Sequence, residues 1–396
     1  MTTQDMPALP FDRPTILDIP PMLRQLQAER PITKVRTMMG DEAWLVTRYE
    51  EAKSLFTDHR LIRSHPDPAN AAKVSESAMM GGPVGTYETE DYDHTLMRSL
   101  LGGSFSAKRM RMLRPRIGGL VDDLLDEMAK KTPPADLHQE LAFPLPVLVI
   151  CELLGVPYED RDQFRIWSEG AADMFNGEHS LEQLTELRAY TGSLIEARRT
   201  NPGEDVISDI ARAYNEGKLN MDYAVGLATG LLFAGHMTTV VLVEFGTLHM
   251  LTYPEQRKRL VEDPSLVESA VEEMLRFTDA GGGNFVRYAR DEIKMGDVTI
   301  NFGDAVLISG IAANRDPRFF TDPDTFDVTR EPNSHLSFGS GRHLCIGATL
   351  ARVELEAVFS RLFQRFPNLE LAVPVEELEL LDNLLPGGLV SLPVKW

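Results

Sequence analysis

The sequence predicts a mainly α-helical protein with small β-sheets, folded as one domain over residues 1–396. Three observations carry this. From Leu120 to Ala213 the chain reads as helices with short breaks. Ala224 to Leu248 is an apolar run far longer than a strand needs. Strand-like segments are short and scattered, and no Ser/Gly-rich linker, internal repeat or low-complexity tract divides the chain.

Composition narrows the function classes. The 43% hydrophobic content is ample for a large core. A net charge of −20 argues against general affinity for nucleic acid or acidic lipid. The extended segment 1–21 mixes acids, prolines and polar residues, without a basic start or an apolar core. It therefore reads as neither a signal peptide nor a membrane anchor. Only two cysteines, Cys151 and Cys345, argue against a disulfide framework or a multi-thiolate zinc site, and a reducing cytoplasm is the simplest compartment.

In chain order, Pro31 to Thr37 and Ala43 to Thr47 flank Gly40 as a hairpin, and a short helix follows from Tyr49 to Phe56. Leu61 to Thr89 is a long loop, either functional or a passive connector. His94 and Arg98 are four apart, so on a helix they share a face and can reach one anion. Lys108 to Arg116 is a basic cluster on an acidic chain, readable as helix-surface charge or as a docking patch. Cys151 lies in the apolar run Val147 to Leu154 and reads as a buried small hydrophobe. Trp167, Met174 and Phe175 read either as core or as pocket cover.

Ala224 to Leu248 exceeds the length that spans a bilayer. His236, Thr238, Thr239 and several glycines interrupt it, so a helix buried all round in protein fits better. Glu273 and Arg276 are three apart and can pair on one helix face. Gly281 to Gly283 either form a turn or widen a pocket, and strands follow at Val298–Phe302 and Ala305–Ser309.

The chemistry concentrates in Phe338-Gly-Ser-Gly341-Arg-His343-Leu-Cys345-Ile-Gly347. Cys345 follows a glycine-rich loop and heads a helix whose apolar positions are Ile346, Leu350, Val353 and Ala357. Unpaired N–H groups and the helix dipole favour a thiolate there, suited to a nucleophile or an axial metal ligand. Gly341 and Gly347 are the residue type needed where the backbone turns tightly or a flat ligand approaches.

The spacing Phe-x-x-Gly-x-x-x-Cys-x-Gly resembles the heme-ligating loop of the cytochrome P-450 family. His94 and Arg98 are similar to that family's His-x-x-x-Arg, which holds a heme propionate. Ala234-Gly235-His236-Met237-Thr238-Thr239 resembles its oxygen-site kink, with Met237 where an acid is usual. Glu273, Arg276 and Arg330 match its buried ion-pair triad, and Arg287 its further propionate arginine. The resemblance implies the P-450 fold, with heme b between the long central helix and the Cys-loop helix. It also implies Cys345 as axial ligand, cofactor contacts from Ala234, Gly235, Phe338, Gly341, His343 and Gly347, and catalytic roles for Thr238, Met237 and His236.

A monooxygenase of this kind would tailor a natural product, using O2 and electrons from ferredoxin and its reductase. The docking patch would then include Arg109, Arg111, Arg342 and Arg352. Met237 has no exchangeable proton, so water held by Thr238, His236, backbone groups or substrate would carry protons. That departure leaves open oxidative crosslinking of an aromatic peptide or cyclic dipeptide. A non-catalytic heme sensor and a cysteine-nucleophile hydrolase are more distant alternatives.

Overall fold

The structure is a computed structural model and describes residues 6–278, 284–384 and 387–396. The glycine run 281–283 and residues 385–386 lie outside the described residues. In chain order come α1 (Pro21–Glu29), β1 (Ile32–Arg36), β2 (Glu42–Val46), α2 (Tyr49–Thr57) and β3 (Leu61–Ile62). The helical body follows: α3 (Glu90–Leu101), α4 (Ala107–Ala129), β4 (Ala135–Asp136), α5 (Pro144–Leu154), α6 (Arg161–Ala171), α7 (Gly177–Thr200), α8 (Val206–Asn215) and α9 (Met221–Thr252). Next are α10 (Pro254–Glu262), α11 (Val267–Phe277), β5 (Asn284–Ala289), β6 (Ile293–Met295), β7 (Val298–Ile300), β8 (Ala305–Ser309) and α12 (Gly310–Ala313). The chain ends with α13 (Ala348–Phe359), α14 (Leu362–Arg365), β9 (Glu370–Leu371) and β10 (Pro393–Lys395).

The helix expected from the apolar run is α9, 32 residues long. Asn220 caps it by accepting from the Tyr223 N–H (2.8 Å), and Pro254 prevents its continuation. Its length and composition would suit a membrane span, yet it is largely buried inside the protein. It packs against α5, α7, α8, α11 and α13. An all-round apolar helix needs such a jacket, because no face of it is content in water.

A five-stranded sheet, ordered β1-β2-β8-β5-β3, forms the second region. The expected hairpin is present, with Ile32 opposite Val46 and Arg36 opposite Glu42. β8 joins β2 in parallel and β5 antiparallel, setting Arg287 opposite Val306. Every residue of β8 is buried, as a central strand requires when both faces are covered. From the described part of the extended N-terminal segment, Leu9 donates to the Arg36 carbonyl (2.8 Å). Between β3 and α3 the chain has neither helix nor strand, matching the expected long loop.

Candidate functional site

The Cys345 loop runs between α12 and α13 and is shaped by contact with α2. Gly341 has φ +69°, and a Cβ there would lie 2.9 Å from the Phe56 carbonyl oxygen. Only glycine fits both demands. Gly347 does not share them: its φ is −83°, and a Cβ would meet only Cys345 Sγ at 3.8 Å. The conformational need expected at Gly347 therefore falls instead on Gly339, also at φ +69°. The Cys345 N–H donates to the Phe338 carbonyl (3.0 Å), closing the loop below the sulfur. The Phe338 ring lies 4.7 Å from the Arg352 guanidinium.

Burial pushes the Cys345 thiol up, while the N–H groups of Gly347 and Ala348 and the charge of Arg98 favour the thiolate. On balance burial prevails in the chain by itself. Cys345 is nevertheless exposed by surface area. Dense surroundings and accessible surface are compatible when a side chain opens into an interior cleft, and the same holds for Ala234, exposed midway along buried α9. Cys151 has no such opening; burial pushes its thiol up to about 12.

His94 and Arg98 share a face of α3, as their spacing predicts. Arg98 Nη1 donates to the Leu344 carbonyl (3.1 Å), and the His94 ring lies 4.5 Å from the His343 ring. Burial pushes His343 down to about 3, with Arg287 and His94 acting in the same sense. Burial likewise lowers His94, and it brings Arg287 down to about 10. Among the described residues Arg287 donates only to the neighbouring Val286 carbonyl (2.7 Å), and buried His343 Nε2 makes no hydrogen bond. Buried cations and orphaned donors of this kind call for an anion. Heme propionates fit that donor set, and a thiolate-forming cysteine fits the iron.

On α9, Thr238 Oγ1 donates to the Ala234 carbonyl (3.1 Å), so the hydroxyl bonds back to its own helix. A Cβ at Gly235 would lie 2.4 Å from Ile150 Cδ1, so the crossing of α5 by itself requires a glycine here. The expectation for His236 is corrected. His236 points to the opposite side of α9 from Ala234 and Thr238, against Phe164 (4.9 Å) and Phe143 (6.4 Å). Its Nδ1 meets the Leu232 carbonyl, Nε2 has no partner, and burial pushes the ring down to about 4. Nothing in that setting makes it a proton carrier.

Met237 is buried in a small apolar cluster with Ala172, Phe233 and Leu384, flanked by Met79 and Leu381. Three remote segments converge there. The Met174 N–H donates to Asn383 and its carbonyl accepts from Glu76, tying the α6–α7 turn to both the long loop and the C-terminal segment. Phe175 is exposed, and Trp167 packs on Tyr190 (5.3 Å). One turn-pair beyond Met237 on the same face, buried Glu244 pairs with His138 and accepts from the Leu389 N–H (3.0 Å). Sequence reading missed this pair, whose partners lie far apart along the chain.

The predicted triad is present. Arg276 Nε and Nη2 donate to the two Glu273 oxygens at 2.7 and 2.8 Å, and Arg330 Nε lies 3.2 Å from both. Asn333 and the Asp327 N–H complete the carboxylate. The remaining guanidinium N–H groups meet carbonyls of Asn314, Pro323, Thr321 and Thr325. The expected docking patch is narrower than foreseen. Arg352 is bidentate to Glu272, Arg342 pairs with Asp91, Arg114 with Glu356 and Arg116 with Glu152. Lys108 and Arg111 are exposed and have no ion pair among the described residues.

The family model for cytochrome P450 matches residues 22–378. The chain belongs to the cytochrome P450 family. It is 44% identical over 400 residues to pentalenolactone synthase of Streptomyces exfoliatus, covering 99% of this chain and 100% of that one. It is 38% identical to mycinamicin IV hydroxylase/epoxidase of Micromonospora griseorubida, covering all of both chains. The solved structure of mycinamicin VIII C21 methyl hydroxylase from the same organism superposes with TM-score 0.90 at 32% identity, over 99% and 100% of the two chains.

This P450 is thus an oxidoreductase of the monooxygenase type, with heme b as cofactor and Cys345 as its axial thiolate. The family acts on small molecules with the help of redox partners. Oxygen insertion, rather than aryl coupling or passive heme binding, is the activity that its relatives support.

Proposed function

We propose that this P450 oxygenates an apolar natural-product skeleton, of terpenoid or macrolide type, and that residues 1–396 act as one domain. The cluster around Met237 carries the reading. With Phe233, Ala172, Leu384 and Met79, it makes the packing next to Thr238 on α9 hydrocarbon rather than acidic, and a site in such surroundings favours a substrate that binds through area rather than charge. The relatives named for pentalenolactone and mycinamicin point to the same substrate class.

When bound, the heme supplies dioxygen activation, and its thiolate ligand favours O–O cleavage. The chain supplies the rest. His94, Arg98, Arg287 and His343 fix the propionates, and Phe338 and Gly341 shape the loop beneath. Ala234 lets the macrocycle approach α9. The Thr238 hydroxyl donates a hydrogen bond to the Ala234 carbonyl, which leaves its oxygen free to accept one from water. Since Met237 cannot relay a proton, that water must. Electrons come from an acidic ferredoxin in the cytoplasm, guided to Lys108 and Arg111 on α4, which packs along the Cys-loop helix α13.

Substrate-induced shifts of the heme spectrum test this. Terpenoid lactones and macrolides should produce the shift and tyrosine-containing cyclic dipeptides should not. A response confined to the peptides would overturn the substrate class.

A further inference from the structure

We propose that Glu244, paired with His138, is a positioning residue for substrate discrimination. It fixes where the C-terminal segment lies along α9, and with it how Leu381 and Leu384 close on Met237. This rests on the reading of the Met237 cluster as the surroundings of an apolar substrate.

Glu244 follows Met237 by two turns of α9, so the two share a face. The C-terminal segment meets that face at both places. At the Met237 end, Leu384 and Leu381 pack into the apolar cluster. At the other end, the Leu389 N–H donates to Glu244 Oε2 (3.0 Å). Beside it, Gly388 has φ +123°, and a Cβ there would lie 3.3 Å from Glu244 Oε2 and 3.5 Å from Val241 Cγ2. The backbone is thus laid directly against α9 in a conformation that suits only glycine. The two ends are joined within the segment. The Leu381 N–H donates to the Gly388 carbonyl (2.9 Å), and the Val390 N–H donates to the Glu379 carbonyl (2.9 Å). A displacement at Gly388 therefore carries Leu381 with it.

The two contacts differ in kind. Apolar packing is non-directional and tolerates sliding, whereas a hydrogen bond to a fixed carboxylate does not. Glu244 is that fixed point. Its side chain is fully buried, and its other oxygen meets His138 Nδ1. His138 is held in turn. Its N–H donates to Asp136 Oδ1 (3.0 Å), and the same oxygen accepts from the Leu392 N–H (2.8 Å). Two carboxylates thereby grip the segment, at Leu389 and at Leu392. A buried pair of this kind is a poor source of stability, and its best-attested use is to fix register.

Glu244→Leu removes the anchor, while Glu244→Gln keeps an oxygen for Leu389 and an N–H for His138. In the holoenzyme, amide hydrogen exchange reads the segment. Titration of the heme spectrum with imidazole and with 4-phenylimidazole reads the site. Glu244→Leu should speed exchange about tenfold, the scale of a lost hydrogen bond to a charged group, at Leu381 and at Met174, whose N–H bonds Asn383. It should also weaken 4-phenylimidazole about fourfold, the scale of one buried methylene, with imidazole unchanged. Glu244→Gln should match the wild type in all three readings. Met237→Ala should weaken 4-phenylimidazole as well.

Wild-type exchange at Leu381 and Met174 in Glu244→Leu would overturn the positioning role. Unchanged 4-phenylimidazole affinity in that variant, where Met237→Ala weakens it, would overturn the link to discrimination. If Met237→Ala left 4-phenylimidazole unchanged, the reading of the Met237 cluster would itself fall, while exchange would still report whether Glu244 fixes the segment. Should Glu244→Leu fail to fold, Gly388→Ala displaces the segment without touching α9. Wild-type exchange and wild-type affinity in that variant would overturn the proposal.

Discussion

Two buried charge clusters in this P450 are built on opposite principles. Around Glu273, Arg276 and Arg330, the carboxylate and the guanidinium groups find partners within the chain, from α11 and from the segment 314–333. Around His94, Arg98, Arg287 and His343, two guanidinium groups and two imidazoles held toward their neutral form gather near one buried carboxylate, Glu90, and His343 Nε2 makes no hydrogen bond among the described residues. A self-contained network can only hold structure, whereas a cluster with unmet charge is complete only with a ligand. Burial is common to both, so burial alone does not separate scaffold from site. The partner inventory does.

The largest expected effect lies at the ligand that joins the site to its iron. Cys345→His should abolish the ferrous–CO absorption band of thiolate-ligated heme, while Cys151→Ala should keep it. Loss of the band in Cys151→Ala would reverse the assignment. Next comes the self-contained network. Glu273→Gln leaves Arg276 and Arg330 buried beside a neutral group and should cost about 3–5 kcal/mol, read as a fall in Tm and in soluble yield. A mild loss, comparable to that of a surface pair, would erase the distinction between the clusters.

His249 sharpens the comparison from another direction. It is buried with neither ring nitrogen hydrogen-bonded among the described residues, and it sits among Phe277, Phe326 and Tyr253, apart from the cluster around Arg287 and His343. Burial pushes it down to about 3, and Arg315 adds to this. An unfolded histidine titrates near 6.5, so the folded state takes up its proton later. The contribution to stability is full above pH 6.5 and is lost as pH falls toward 3. His249→Phe should therefore raise stability at pH 5 by about 2 kcal/mol relative to its effect at neutral pH, flatten the acid limb of Tm against pH, and leave heme release unchanged. Altered heme release would mean that an orphaned ring packed among aromatic residues can also belong to the site.

The smallest effect is expected at the surface. Arg111→Glu should slow reduction by ferredoxin a few-fold and weaken its salt dependence, as screened steering requires. Arg352→Glu tests the contrast, since Arg352 is already held by Glu272. Reversing it should affect the fold near Phe338 more than encounter with the partner. Equal, salt-dependent slowing by both would restore the broader patch.

Much of the molecule was legible in its residues. The length of an apolar run marked α9, periodicity marked α13, and turn signals marked the β1–β2 hairpin. The fixed spacings of Cys345, His94 with Arg98, and Glu273 with Arg276 placed each on its element. These features are local: helical and strand periods decide which residues share a face, whatever lies opposite. What lies opposite was decided only by the tertiary structure. Gly235 is packed against Ile150, and His236 turns toward Phe164. Arg352 and Arg114 are neutralised by acids 80 and 242 residues away, and Glu90 reaches back 26 residues to Ser64. No local period encodes such pairings, because they are selected by how the helices and the sheet pack. The sequence by itself determined the elements and the chemistry they carry; the packing decided which charges are answered within the chain and which await the heme.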